Sequence, residues 1–220
     1  MPDESASRRP ASAKEIAYAH VKKLVMRSGG EEGFFLSENE IAGALDISRT
    51  PVREAFLTLE AEGMLKIMPK RGAYVAPISD REIVELMEAR ALIETFCARR
   101  VVERRVPVTE RLEALLREQR DLLSDPEAFI ESDRRFHSVI VDAAQHQLFS
   151  GVYESLRDRQ LRMGVRAVQG EDHRAAQVLA EHARIANAID AGEPGEIAAA
   201  IADHIEQTQR SLRTTWRPQA

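Results

Sequence analysis

Leu36–Val75 reads LSENEIAGALDISRTPVREAFLTLEAEGMLKIMPKRGAYV, and the fold is decided here. Ser37 with Glu40 three residues on is a capping box, so a short helix begins at this point and buries Ile41, Ala42 and Leu45. Asp46-Ile47 makes the turn that follows. Asp tolerates the positive φ such a turn often needs, though glycine is the commoner choice. Ser48 or Thr50 caps a second helix, with Pro51 in its first turn, where a missing N–H costs nothing. Val52, Ala55, Phe56 and Leu59 form the inner face of that helix, and Gly63 ends it. Leu65–Met68 and Ala73–Val75 are strand-like runs around Pro69-Lys70-Arg71-Gly72, a hairpin with two cations at its tip. Two helices around a tight turn, then a basic hairpin, make a winged helix-turn-helix, whose second helix enters the major groove of DNA.

Working outward, Ala13–Ser28 repeats Ile16, Ala17, Val21, Leu24 and Val25 at helical spacing and stops at Gly29-Gly30; residues 31–36 read as a connector. Residues 1–11 are small, polar and proline-containing, which predicts disorder. Beyond Pro77 the pattern is helical throughout: Asp80–Val106, Thr109–Leu123, Pro126–Ala144, Leu148–Val168, Ala175–Ala191 and Pro194–Arg213, joined by short loops. The first of these carries Ile83, Leu86, Met87, Ile93, Phe96 and Cys97 on its inner side. The expected fold class is mainly α. It comprises a winged helix-turn-helix of three helices and a β-hairpin over residues 12–77, then an antiparallel all-α bundle of six or seven helices over residues 78–220.

Composition agrees with a globular chain, 44% hydrophobic and 30% charged. No apolar run approaches the length of a membrane span, and the N-terminus lacks the apolar core of a signal peptide. The one cysteine, Cys97, cannot close an internal disulfide, so a cytoplasmic location is expected. A net charge of −5 argues at first against nucleic acid, but it is unevenly spread. Residues 1–76 hold 11 basic and 11 acidic side chains, and all five lysines lie in the first 70 residues, so the acidity belongs to the later part. Where charge sits matters more for steering than its sum.

At the start of the second helix Arg49 and Arg53, four residues apart, share one face with Thr50 beside them. A recognition helix docking by its N-terminal end sends such positions to base edges, and arginine pairs bidentately with guanine O6 and N7. Ser48 suits phosphate oxygens, and Ser37 belongs to the same DNA-facing set. Lys70 and Arg71 on the wing reach backbone or the adjacent minor groove. In the bundle, polar residues stand inside apolar stripes. Asp133 and His137 are i, i+4 partners among Phe129, Phe136 and Ile140; His182 lies with Val178, Ile185 and Ile189; His204 lies with Ile197, Ile201 and Ile205. A buried carboxylate is costly unless paired or ligated. One carboxylate and three imidazoles from three helices match a divalent-metal site. Zinc is the default for such ligands, while Ni, Mn or Fe use the same set. His20, His146 and His173 show no inward pattern.

The quoted stretch, with SRTPVREA and the L-x-x-E-G-[hydrophobic]-L run after it, resembles the winged helix of GntR-type bacterial transcription regulators, particularly their FadR branch. Over most of residues 13–77 this resemblance implies a symmetric dimer that contacts operator DNA through Arg49, Thr50, Arg53 and the wing Gly72. Relatives often carry arginine where this chain has Asn39, a position that still serves to bond a phosphate or an adenine. Residues 80–215 look like the FCD ligand-binding domain of the same branch. Its metal-containing members carry D-x-x-x-H, then E-H, then a late H, here Asp133, His137, Glu181-His182 and His204. By resemblance these four are ligands with open coordination positions for a small carboxylate effector. Arg90, in MEARALIE, matches an arginine common in that domain, and it also stands at the i, i+4 spacing of an exposed ion pair with Glu94. Arg162 and Arg166 join the candidate effector pocket.

Three functions compete at this level. A transcription regulator, most simply a repressor, binds double-stranded operator DNA as a homodimer and responds to a small carboxylate. A metal hydrolase would use the same histidines, but no H-E-x-x-H spacing or nucleophile motif accompanies them, and the expectation is that the chain is no enzyme. An architectural DNA binder would hold a purely structural metal.

Overall fold

A computed structural model describes residues 11–27, 33–170 and 173–215, leaving aside the side chains at 27, 157–158, 164–167, 169–170 and 215. The disorder expected for residues 1–11 therefore falls, except at Ala11, outside the described residues. The chain divides into two compact units, one closing at Pro77 and the other running on from Ile78.

The first unit follows the order α1 (Ala13–Arg27), β1 (Phe34–Leu36), α2 (Glu38–Leu45), α3 (Arg49–Ala61), β2 (Lys66–Met68) and β3 (Gly72–Val75). Ser37 caps α2 by accepting from the Glu40 amide, and Asp46 closes that helix in the left-handed region at φ 52°. Ser48 occupies the N-cap position of α3, but its side chain makes no capping hydrogen bond. One expectation is corrected: the connector over 31–36 contains a strand. Phe34–Leu36 pairs antiparallel with β3, with Leu36 opposite Ala73, so the wing is a three-stranded sheet ordered β1-β3-β2. Three residues are too few to show alternation; the ladder offered by β3 sets their conformation. Ala17, Val21, Val25, Leu36, Ile41, Val52, Phe56, Leu59, Ala73 and Val75 make one core.

The second unit contains, among the described residues, six helices: α4 (Asp80–Glu103), α5 (Thr109–Asp121), α6 (Pro126–Ala143), α7 (Gln147–Gly170), α8 (Arg174–Ala191) and α9 (Pro194–Thr215). Ser79 caps α4 and Asp125 caps α6, with Pro126 at its first turn. Ile83, Leu86, Met87, Ile93 and Cys97 are buried as their spacing predicts. Phe96 is not: it is exposed and packs edge-on against Phe149 and His146. It precedes the buried Cys97 by one position, a step of about 100° that turns it off the inner stripe. Helix α4 packs on α6 and α9, and α5 lies against α6 and α8, so the inner faces of these five helices meet at one place.

Candidate nucleic-acid interface and candidate metal centre

In the first unit a concave face opens between the start of α2, the start of α3 and the wing. Ser37, Asn39, Arg49, Arg53, Lys70, Arg71 and Gly72, seven residues of the predicted DNA set, all line it. Ser48 and Thr50 lie exposed at the head of α3 without lining the hollow. The wing supports itself: the Arg71 guanidinium lies over the Phe35 ring at 4.4 Å, and Phe35 leans on Tyr74. Gly72 has a reason to be glycine that owes nothing to DNA. Its φ is +90°, and a Cβ there would stand 2.2 Å from the Leu36 carbonyl oxygen. Sequence reasoning missed Glu38, which sits in the hollow and accepts hydrogen bonds from both Arg49 and Arg53.

In the second unit Asp133 and His137 from α6, His182 from α8 and His204 from α9 bring one donor atom each to within 4.8 Å of one another. The three histidines are buried. Each ring is held from behind through Nδ1. His182 Nδ1 is 2.8 Å from Gln119 Oε1 on α5, and His204 Nδ1 is 2.7 Å from Glu181 Oε2 on α8. His137 Nδ1 lies 2.8 Å from Glu94 Oε2 on α4. With the proton on Nδ1 at each acceptor, the Nε2 lone pairs point to a common centre. His137 Nε2 and His182 Nε2 are 3.1 Å apart, and Asp133 Oδ1 is 3.3 Å from His182 Nε2. His204 Nε2 is buried with no hydrogen-bond partner among the described residues. Converging lone pairs beside a carboxylate repel one another without a proton or cation between them, so these residues fit a divalent metal. Phe136 stacks on His182 at 4.3 Å and fixes its plane.

Electrostatics agree. Burial pushes His182 down to about 3, only partly offset by Asp133, and burial also lowers His204 despite the Glu181 carboxylate. Both rings are thus neutral near pH 7, the form that ligates metals. Burial works against the Asp133 charge, but the neighbouring His182 ring, with His137 and Arg90, holds its carboxyl well below the usual range. Glu94 likewise stays ionised against burial, through Arg90 and His137.

Arg90 does pair with Glu94, at 2.8 Å, but the expected exposed position is corrected: both side chains are buried, and Tyr153 on α7 donates to the same Glu94 oxygen at 2.8 Å. A pocket beside the histidines is lined by Arg90, Asp133, Arg134, Gln160, Arg174 and Thr208 among apolar side chains. Arg162 does not line it; this side chain is held under the opposing influences of burial and the Glu82 charge. Arg166 lies outside the residues whose side chains are described. The roles of Gln119 and Glu181 behind the histidine rings were legible in principle. Gln119 falls seven residues after Leu112, on the same face, and Glu181 seven after the buried Arg174.

Residues 85–207 match the FCD domain, and residues 13–75 match the bacterial regulatory proteins of the gntR family. The chain belongs to the GntR family. This GntR-family chain is 30% identical over 187 residues to the HTH-type transcriptional repressor RspR of Escherichia coli, covering 81% of this chain and 79% of that one. It is 32% identical over 130 residues to the gluconate operon transcriptional repressor of Bacillus subtilis, covering 58% of this chain and 53% of that protein. Its fold is shared with a GntR protein from Rhodococcus sp. RHA1 (TM-score 0.76, 19% identity, 94% of this chain and all of that one). Escherichia coli McbR/YncC shares it too (TM-score 0.74, 21% identity, with the same coverage). The GntR-family chain is thus a DNA-binding transcription regulator and not an enzyme, which sets the hydrolase reading aside. The FCD match suits the FadR branch. Among the described residues no helix is long and apolar enough to cross a membrane.

Proposed function

We propose that this regulator is a cytoplasmic homodimeric repressor whose hold on operator DNA is tuned by a small carboxylate bound at a divalent-metal site. The DNA-reading part is residues 12–77 and the responsive part residues 78–220. The observation that carries this reading is the convergence of three Nε2 atoms on Asp133, with an acceptor behind every Nδ1. Backing of that kind is what orients metal-ligating imidazoles. Asp133, His137, His182 and His204 would hold the cation, with zinc the default and Ni, Mn or Fe able to use the same donors. When bound, the cation supplies a Lewis-acidic centre for an anionic oxygen.

The chain's own residues then define what else the pocket takes. Arg90 Nη2 and Gln160 Nε2 are buried with no hydrogen-bond partner among the described residues, two donors spare beside Asp133. An unmade buried hydrogen bond costs about 1–3 kcal/mol, so both favour a ligand rich in acceptor oxygens. A hydroxy acid or sugar acid of a few carbons fits that chemistry, and gluconate heads the compounds to try because one relative represses a gluconate operon. Arg174 is already engaged by Glu181 and Thr208 and closes the pocket wall. On the other unit, Arg49, Thr50 and Arg53 reach base edges, Ser37, Asn39 and Ser48 reach phosphates, and the wing residues Lys70, Arg71 and Gly72 lie along the backbone.

Elemental analysis of the purified protein, followed by thermal melting against a panel of small carboxylates, tests the responsive half. Near-stoichiometric metal is expected, lost in His182→Ala, with at least one acid raising the melting temperature by mass action. Full metal content in His182→Ala contradicts the ligand set, and an entire panel without a shift contradicts the sensor.

A further inference from the structure

Glu38 is the first residue of α2, and its side chain is 15% exposed, against 59% for Arg49 and 61% for Arg53. Its Oε1 accepts from Arg53 Nε at 3.0 Å, and its Oε2 accepts from Arg53 Nη2 at 2.9 Å and from Arg49 Nη2 at 3.2 Å. The Arg53 contact is a two-point fork along the Nε side of the guanidinium. The Nη1 hydrogens and the second hydrogen of Nη2 stay clear of Glu38, and an arginine edge of this kind pairs with guanine O6 and N7. Among the residues lining the hollow, Glu38 is the one acid beside four cations, Arg49, Arg53, Lys70 and Arg71. The hydrogen bond from Arg53 keeps its carboxyl below the ordinary range, against the effect of burial and with help from Arg49, so the charge is present at neutral pH.

A carboxylate in this place treats the two parts of DNA differently. A phosphate approaching the free edge of Arg49 or Arg53 meets the like charge of Glu38 close behind it and is repelled. A base edge is neutral overall and takes the outer N–H groups without disturbing the fork. We propose that Glu38 is a specificity-determining residue: it fixes Arg49 and Arg53 with their outer N–H groups free for a base edge and excludes phosphates from them. Binding to arbitrary DNA is thereby suppressed while operator binding is kept. This inference rests on Arg49 and Arg53 being base readers, and the test separates the two.

The full-length protein and its Glu38→Gln and Arg53→Ala variants are titrated by fluorescence anisotropy, across a salt series, onto two duplexes. One is a duplex that the wild-type protein selects from a random-sequence pool; the other is its shuffled counterpart. Glu38→Gln keeps the size of the side chain and removes its charge. The expected result is tighter binding of the shuffled duplex and a selected-to-shuffled affinity ratio lower by about tenfold. The salt dependence on shuffled DNA should also steepen by about one phosphate contact. A ratio like that of the wild type overturns the inference, whether both affinities rise together, as plain repulsion would give, or fall together, as a damaged fold would give. If Arg53→Ala lowers the ratio and Glu38→Gln does not, Glu38 alone loses its role. If Arg53→Ala leaves the ratio unchanged, the base-reading assignment fails and this inference with it.

Discussion

Three histidines in this protein are each held by a different acceptor, Glu94, Gln119 and Glu181, and that difference is itself testable. Gln119→Leu removes the acceptor behind His182 while filling a similar volume. It should weaken metal binding by about 10–100-fold in competition with a fluorescent chelator; an unchanged affinity would mean that Gln119 does not orient the ring. On the DNA side, Arg49→Ala and Arg53→Ala should each cost about 1–3 kcal/mol on the true operator and far less on random DNA. Equal losses on both duplexes would make these arginines phosphate contacts. At this scale the sequence was half legible. Asp133, His137, His182 and His204 stand out because a polar residue on an apolar stripe is conspicuous. Glu94 did not, because an i, i+4 partner for Arg90 has the spacing of an ordinary surface pair, and only packing against α7 reveals that both charges are buried. Glu38 had no signal at all: an acid in the first turn of a helix is ordinary, and its grip on Arg49 and Arg53 depends on how α2 and α3 cross.

At the level of elements, the turn between α2 and α3 and the tip of the wing carry opposite lessons. Asp46 holds φ 52° where glycine would be unstrained, so Asp46→Gly should stabilise the first unit by up to about 1 kcal/mol, read as a higher melting temperature. Gly72→Ala should do the reverse, and more strongly. The added methyl meets the Leu36 carbonyl in a backbone conformation that alanine resists, so β1 and β3 cannot keep their present spacing. A Gly72→Ala protein with wild-type melting behaviour would show that the wing relaxes freely. Helix existence and type were legible throughout, because caps and apolar spacing are local. Strand β1 was not, since three residues carry no period of their own and take their shape from β3. Phe96 was misplaced for a related reason: a hydrophobic residue next to a buried cysteine reads as core until the helix phase is known.

Across the whole molecule, two units of opposite character share one chain. The bundle hides an ionic cluster that makes it sensitive to acid. His182 falls to about 3 when folded and His204 is lowered too, from an ordinary 6.5 for each, so below about pH 6.5 the unfolded chain binds protons that the folded bundle refuses. Stability therefore falls as pH falls from that point. Glu94 and Asp133, held below their ordinary range, add to the loss once pH drops through about 4.5. With a chelator present, the melting temperature of the full-length protein should decline steadily from about pH 7 to about pH 5; a flat profile would mean that these histidines are protonated or solvated in the folded state. An effector changes DNA binding only if it favours one arrangement of the molecule over another. Operator affinity of the wild-type and His182→Ala proteins, measured with and without the acid that shifts the melting temperature, tests that claim most directly. The account predicts a change of about 5–150-fold in the wild type and none in His182→Ala; the same change in both proteins, or none in either, would contradict it.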